Sequence, residues 1–99
     1  MNPFYADIYK VVADIPTGFV MSYGQIARIL GKPHNAREVG RAMGHCPADL
    51  PWHRVVMADG TITGTGGMRE EVGRQRLEAE EVSFLLDGRV NMSISQHEI

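Results

Sequence analysis

Residues 22–44 read Ser22-Tyr23-Gly24-Gln25-Ile26-Ala27-Arg28-Ile29-Leu30-Gly31-Lys32-Pro33-His34-Asn35-Ala36-Arg37-Glu38-Val39-Gly40-Arg41-Ala42-Met43-Gly44. Two helix starts and one helix stop are written into this stretch. Ser22 and Gln25 have the spacing of a capping box, in which the hydroxyl accepts from the third helical N–H and the glutamine side chain reaches back to the cap's own N–H. Gly31 closes the helix so opened, and Pro33 stands just beyond it. Asn35-Ala36-Arg37-Glu38 then repeats the box pattern. Two short helices joined through the Gly31–His34 turn predict a helix-turn-helix.

The second of these helices is the more telling. Residues 37, 40, 41 and 44 fall on one face and read Arg, Gly, Arg, Gly, while Val39, Ala42 and Met43 turn toward a core. Glycine costs about 1 kcal/mol in a helix interior, so Gly40 requires a local reason. From the residues alone two reasons stand level. Either Gly40 packs against a neighbouring element, or its bare backbone admits something bulky from outside, with the flanking arginines suggesting a phosphate backbone.

Outward from this stretch, Asn2 caps a helix with Pro3 in its first turn. Phe4, Ile8, Val11, Val12 and Ile15 recur at helical spacing and give it one apolar face. Pro16-Thr17-Gly18 breaks that helix, and Phe19-Val20-Met21 connects it to Ser22. Beyond the second helix, Pro47–Pro51 is a loop. Arg54-Val55-Val56-Met57 and Thr61-Ile62-Thr63 flank Ala58-Asp59-Gly60, a hairpin signal. Thr63-Gly64-Thr65-Gly66-Gly67 is a loop of small residues, and with no Lys-Ser/Thr after it is not a phosphate-binding loop. A charged helix is expected from Met68 to Glu81, carrying Val72 and Leu77, then a short strand over Val82–Leu86 and a turn at Asp87-Gly88. Residues 91–99 are expected to fray.

A chain of 99 residues suffices for one small domain, spanning 1–99, around a single hydrophobic core. No apolar run reaches membrane-spanning length, and Met1-Asn2-Pro3-Phe4 lacks the basic and apolar regions of a signal peptide. A single cysteine excludes an internal disulfide and fits a reducing, cytoplasmic interior. His34, His45, Cys46 and His53 match no zinc-binding spacing, so neither metal nor cofactor is expected. The formal charge of −2 is unevenly spread: residues 1–54 hold six Lys/Arg against four Asp/Glu, and residues 55–99 hold four against eight. Only the first half can offer phosphates a basic face, and a weak one, which predicts modest, salt-sensitive affinity for nucleic acid; on charge alone an ordinary uneven split reads equally well.

Four segments carry a specific resemblance. Met21-Ser22-Tyr23-Gly24-Gln25-Ile26-Ala27, Ala36-Arg37-Glu38-Val39-Gly40-Arg41-Ala42-Met43, Pro51-Trp52-His53-Arg54-Val55 and Gln75-Arg76-Leu77-Glu78-Ala79-Glu80 follow one another at family-like spacing. Together they resemble the C-terminal domain of the O6-alkylguanine-DNA alkyltransferases, over nearly the whole chain. In that family the second residue of the pentapeptide is a cysteine whose thiolate takes the alkyl group off a damaged guanine, irreversibly. Here it is Trp52. The indole nitrogen's lone pair belongs to the ring and leaves only a donor N–H, so Trp52 cannot stand in for a thiolate nucleophile. The chain therefore resembles the alkyltransferase-like branch of the family, which implies binding of the lesion without enzymatic repair.

The expected fold is a small α/β, winged-helix-like domain: an N-terminal helix, a helix-turn-helix that by the resemblance enters the minor groove, a short β-hairpin and a C-terminal helix. The small face of Ala36, Gly40 and Gly44 then suits a narrow groove, with Arg41 beside it on the DNA. Arg37 aligns with an arginine that fills the space of an extruded nucleotide, and Tyr23 with a tyrosine that helps rotate it out and contacts the flipped guanine. The implied lesion pocket comprises Tyr23, Met43, Trp52, Val55 and Thr65. In it the Trp52 carbonyl and Val55 N–H meet the guanine edge, the Thr65 N–H faces O6, and the Trp52 ring forms an apolar wall against the alkyl group. The other reading of Trp52 is a buried core aromatic. His53 and Glu80 match the pair that activates the missing cysteine. With no thiol to serve they are expected to be structural, Glu80 orienting His53 and Arg54 bracing the pocket.

The implied partners are duplex DNA containing O6-alkylguanine and the damage-recognition proteins of nucleotide excision repair, with the chain itself a monomer. Two departures from the family pattern stand out: Cys46 replaces an asparagine before Pro47, and the Pro47–Pro51 connector is shorter. Two rival functions stand beside the lesion-binding one. One is an alkyltransferase using Cys46 as a displaced acceptor. The other is a helix-turn-helix transcriptional regulator indifferent to an alkyl group.

Overall fold

The computed structural model describes residues 2–62 and 68–98. Helix α1 (Pro3–Ala13) begins as the sequence predicts, with the Asn2 side chain accepting the Phe4 N–H at 2.9 Å and Pro3 in the first turn. Phe4, Ile8 and Val12 bury its inner face, Ile15 continues it, and Val11 lies half-buried at its flank. Strand β1 (Met21–Ser22) leads into α2 (Tyr23–Ile29) through the expected capping box. Ser22 Oγ accepts the Gln25 N–H at 3.1 Å, and Gln25 Oε1 accepts the Ser22 N–H at 3.4 Å. Gly31, at φ +75°, ends the helix, and the Lys32 N–H returns to the Ala27 carbonyl at 2.9 Å, a glycine-centred C-terminal cap.

Helix α3 (Ala36–Gly44) follows, but its start corrects the sequence reading. Asn35 has φ −108° and ψ 26°, and its side chain caps nothing. A capping box needs an extended cap residue. The turn from Lys32, closed by the Asn35 N–H on the Lys32 carbonyl at 2.9 Å, holds Asn35 out of the extended region instead. Its amide Nδ2 reaches Glu38 Oε1 at 3.5 Å, and its carbonyl accepts the Glu38 and Val39 N–H groups. α1 braces α3 from behind, with Tyr9 Oη donating to the Ala42 carbonyl at 2.8 Å. The cluster between these helices includes Ile8, Val12, Met21, Ile26, Val39, Ala42, Met43, Cys46 and Val55. Each large aliphatic side chain fully buried there is worth about 1.5–3 kcal/mol.

A 3₁₀ turn (Trp52–Arg54) runs into β2 (Val55–Val56), which pairs with β1 in parallel, Met21 opposite Val55 and Ser22 opposite Val56. The α/β class stands, but the sheet is not the expected hairpin. Residues 57–60 do turn, with Gly60 at φ +91° and the Met57 N–H on the Thr61 carbonyl at 3.0 Å. Val90 then takes the place beside the turn. Its N–H donates to the Gly60 carbonyl at 2.9 Å, and a Cβ on Gly60 would meet the Val90 carbonyl oxygen at 2.2 Å. Thr61 and Ile62 therefore belong to no strand.

Helix α4 (Met68–Ala79) buries Leu77 in a second cluster with Val20, Val56, Ile62, Val82 and Val90. The strand expected over Val82–Leu86 reduces to one antiparallel bridge, Phe84 to Val90, around a turn with Gly88 at φ +92°. The tail is a further correction. Helix α5 (Met92–Ser95) forms, Ser95 is buried, and Gln96 bridges Val20 in parallel. The Val20 N–H and carbonyl are both taken up, by Ser95 at 2.9 Å and His97 at 2.8 Å. Gln25 donates its amide to the His97 carbonyl and accepts from Gln96 Nε2 at 2.8 Å. The residue that completes the α2 capping box thus also anchors Gln96 and His97, which a composition-based reading of residues 91–99 does not reveal. No helix among the described residues is long and apolar enough to cross a membrane.

Candidate nucleic-acid interface and base pocket

α3 presents the face that its sequence predicts. Arg37, Arg41 and Gly44 are exposed, Ala36 and Gly40 are half-buried, and Val39, Ala42 and Met43 are buried behind them. A Cβ placed on Gly40 or on Gly44 meets nothing within 4 Å among the described residues. This decides between the two readings of Gly40: its bareness serves no packing inside the protein. Neither arginine enters an ion pair among the described residues, and Arg28 and Lys32 on the preceding helix and turn are also exposed. Arg54, counted with the basic half of the chain, contributes nothing to this surface because its guanidinium is turned inward.

Tyr23, the first residue of α2, is half-buried against the core that backs α3. Trp52 packs against the same core from the 3₁₀ turn, and Met43, 6% exposed, lies within it. The Val55 N–H donates to the Trp52 carbonyl. The two backbone groups expected to meet a guanine edge are therefore bonded to each other. A carbonyl oxygen has a second lone pair, so Trp52 still has an acceptor to offer, whereas the Val55 N–H is already engaged in closing the turn. Thr65, assigned to the O6 atom by resemblance, lies outside the described residues.

Behind Trp52, Glu80 gathers three groups. Its carboxylate accepts from Arg54 Nε at 2.9 Å and Nη2 at 2.8 Å, from His53 Nε2 at 2.6 Å, and from the Gly18 N–H at 3.1 Å. Arg54 reaches on to the Ile15 carbonyl at 2.9 Å and Thr17 Oγ1 at 3.0 Å, tying the exit of α1 to the end of α4. Burial alone raises the Glu80 pKa, but the hydrogen bonds from Arg54, His53 and Gly18 outweigh it and hold the carboxyl at about 2. Burial also pushes His53 below its usual 6.5, against the pull of Glu80. His53 is accordingly neutral near pH 7, so its contact with Glu80 is a hydrogen bond from Nε2–H rather than an ion pair. Nδ1 then carries the lone pair, and it is buried without a partner among the described residues. Glu80 thus holds both the His53 ring and the Arg54 guanidinium in place. The His53 ring stands edge-to-face against Trp52, with centroids 6.0 Å apart at 89°.

The family model for the DNA-binding domain of 6-O-methylguanine DNA methyltransferase matches residues 3–82. The chain belongs to this family. Alkyltransferase-like protein 1 of Schizosaccharomyces pombe is 44% identical over 87 residues, 85% of this chain and 81% of that protein. The DNA base-flipping protein of Escherichia coli K12 is 40% identical over 93 residues, 92% of this chain and 71% of its own length. The crystal structure of S. pombe Atl1 in complex with damaged DNA containing O6-carboxymethylguanine aligns over 100% of this chain and 98% of that one, with a TM-score of 0.86 and 37% identity.

Within this family member, Cys46 is a poor candidate for an alkyl acceptor. It is buried, and burial pushes its thiol pKa up, with Arg69 pulling the other way. A reactive cysteine needs exposure and a depressed pKa. Three residues near Trp52 escaped the sequence reading: Arg69, Gly73 and Arg76 of α4. The Arg69 and Arg76 guanidinium carbons lie 4.5 Å and 5.1 Å from the Trp52 ring centroid, and Gly73 lies under the ring edge. Their spacing was the available signal. Two arginines with a glycine between them on one helical face make a notch shaped for a flat ring.

Proposed function

We propose that this protein binds O6-alkylguanine in duplex DNA by rotating the damaged nucleotide out of the helix, and that it holds the base without removing the alkyl group. In this reading Ala36, Gly40 and Gly44 of α3 seat on the minor groove, Arg41 lies on the backbone, Arg37 fills the gap in the stack, and Tyr23 guides the base toward Trp52. The observation that carries the reading is that the His53–Glu80 pair is assembled at 2.6 Å and ends against an indole, which has no thiolate to accept an alkyl group. The bare outer face of α3 and the core it shares with Trp52 support it. So do the relatives, one seen on DNA containing O6-carboxymethylguanine and another named for base flipping. A protein that marks a lesion without repairing it acts through others. We assign that role to the damage-recognition proteins of nucleotide excision repair, with the chain acting as a monomeric, single-domain adaptor in a cytoplasmic setting.

Titrating the fluorescence of Trp52, the sole tryptophan, with two duplexes that differ by one O6-methylguanine tests this. Extrusion of a normally paired base costs a few kcal/mol, and a weakened pair reduces that cost. The lesion duplex is expected to bind at least about tenfold more tightly, a difference of about 1.4 kcal/mol. Equal affinity would end the lesion reading, and a preference for one undamaged sequence would favour a transcriptional regulator.

A further inference from the structure

The wall assigned to Trp52 is useful only if the ring stays where it is, and α4 is what holds it. Arg69, Gly73 and Arg76 are spaced i, i+4, i+7 and so share one helical face. A Cβ built on Gly73 meets Trp52 Cζ3 at 3.3 Å and Cη2 at 3.8 Å. The benzenoid edge of the indole therefore rests on the helix backbone. One guanidinium stands a turn before it, at 4.5 Å from the ring centroid, and one a turn after it, at 5.1 Å. Gly73 is not among the residues with positive φ, so its backbone conformation does not call for glycine. A helix interior disfavours glycine, which leaves the space taken by the indole as its reason. Two like charges drawn toward one ring repel each other, and the negative face of the indole offsets that repulsion.

We propose that Arg69, Gly73 and Arg76 are positioning residues that clamp the Trp52 indole, and that this clamp determines how strongly the pocket favours larger O6 substituents. The inference rests on the lesion-binding reading. A preorganised wall contacts a bulky substituent without first being ordered, whereas a loose indole loses that advantage for large groups and keeps most of it for a methyl group.

The test compares affinities for O6-methylguanine, O6-benzylguanine and unmodified duplexes in the unaltered protein, Gly73→Ala, Arg69→Ala/Arg76→Ala and Arg69→Lys/Arg76→Lys. Trp52→Ala sets the floor for the benzyl-to-methyl preference. Gly73→Ala changes no charge, so its effect cannot come from lost attraction to phosphate. The double alanine variant is expected to lose about fivefold in the benzyl-to-methyl ratio, the size of two exposed cation–π contacts. The lysine pair, which keeps charge but not the planar group, should lose part of it. In the free protein, acrylamide quenching of Trp52 fluorescence should rise in the alanine and Gly73→Ala variants while circular dichroism shows the helices intact. If the unaltered protein discriminates and both variants discriminate as it does, the clamp is overturned while lesion binding stands. Unchanged quenching in both variants also overturns the clamp. If the unaltered protein binds all three duplexes alike, the lesion reading fails and the selectivity assigned to the clamp fails with it.

Discussion

Arg37→Ala is expected to weaken binding to a duplex carrying one O6-alkylguanine by about 30-fold, the loss of about 2 kcal/mol typical of an arginine at the centre of an interface. The same change should lower affinity for unmodified duplex by only the small factor that one lost cation contributes. Arg37 stands at the start of α3, exposed and outside any ion pair, on the face where a Cβ on Gly40 or Gly44 would meet nothing within 4 Å, all among the described residues. An extruded nucleotide leaves a gap in the stack, and a planar guanidinium fills it in a way that an alanine cannot. Arg37→Lys keeps the charge and should recover little of the lesion preference. Electrophoretic mobility shift or anisotropy titration on the paired duplexes measures both quantities. Equal losses on the two duplexes would mean that Arg37 acts only as a backbone cation, and nucleotide flipping by α3 would lose its support.

Glu80→Ala should be the most damaging substitution for the fold. It leaves the Arg54 guanidinium, bonded to Ile15 and Thr17, without its carboxylate, and deprives the buried His53 of its acceptor among the described residues. Removing one partner of a largely buried charged network costs about 3–5 kcal/mol, which in a domain of this size lowers Tm by more than about 10 °C. The pH dependence has a definite sign. Glu80 is held at about 2 against an ordinary 4.5, so the stability it contributes is present above pH 4.5 and is lost as the pH falls toward 2. His53 also lies below its ordinary 6.5, so its contribution is complete above that value and declines as the pH drops beneath it. In both cases the unfolded chain binds more protons, and acid destabilises. Thermal melts from pH 8 to pH 3 should show Tm falling from near pH 6.5 and more steeply below 4.5. Glu80→Gln should flatten the lower limb, where the carboxylate contributes on the order of 2–3 kcal/mol at neutral pH. A Glu80→Gln curve with the same acid limb would contradict the assignment.

What the sequence made legible follows from the range of each interaction. The Asn2 and Ser22–Gln25 caps, the inner face of α1 and the two faces of α3 depend on residues within a turn or two of each other, and each was readable. Asn35–Glu38 has the same residue types as a working box and fails, because the turn from Lys32 fixes the Asn35 backbone before its side chain can act. The sheet was misread for a different reason. Val55–Val56 pairs with Met21–Ser22, and nothing local to either dipeptide encodes a partner so distant. The same applies to the tail, whose polar residues suggest fraying while its backbone is satisfied by Val20 and Gln25. Trp52, His53, Arg54 and Glu80, quoted for the resemblance, do lie together in the structure. The residues that touch the indole from α4 lie outside its four segments, apart from Arg76, and only the fold brings them to the ring.

Binding without repair requires that contact with the damaged base be reversible. The most direct measurement incubates the protein with excess duplex containing O6-methylguanine, then determines the intact protein mass and the base composition of the recovered DNA. The account predicts an unchanged protein mass and undiminished O6-methylguanine, under conditions where a complex is shown to form. A protein heavier by one methyl group, with guanine restored in the DNA, would contradict it.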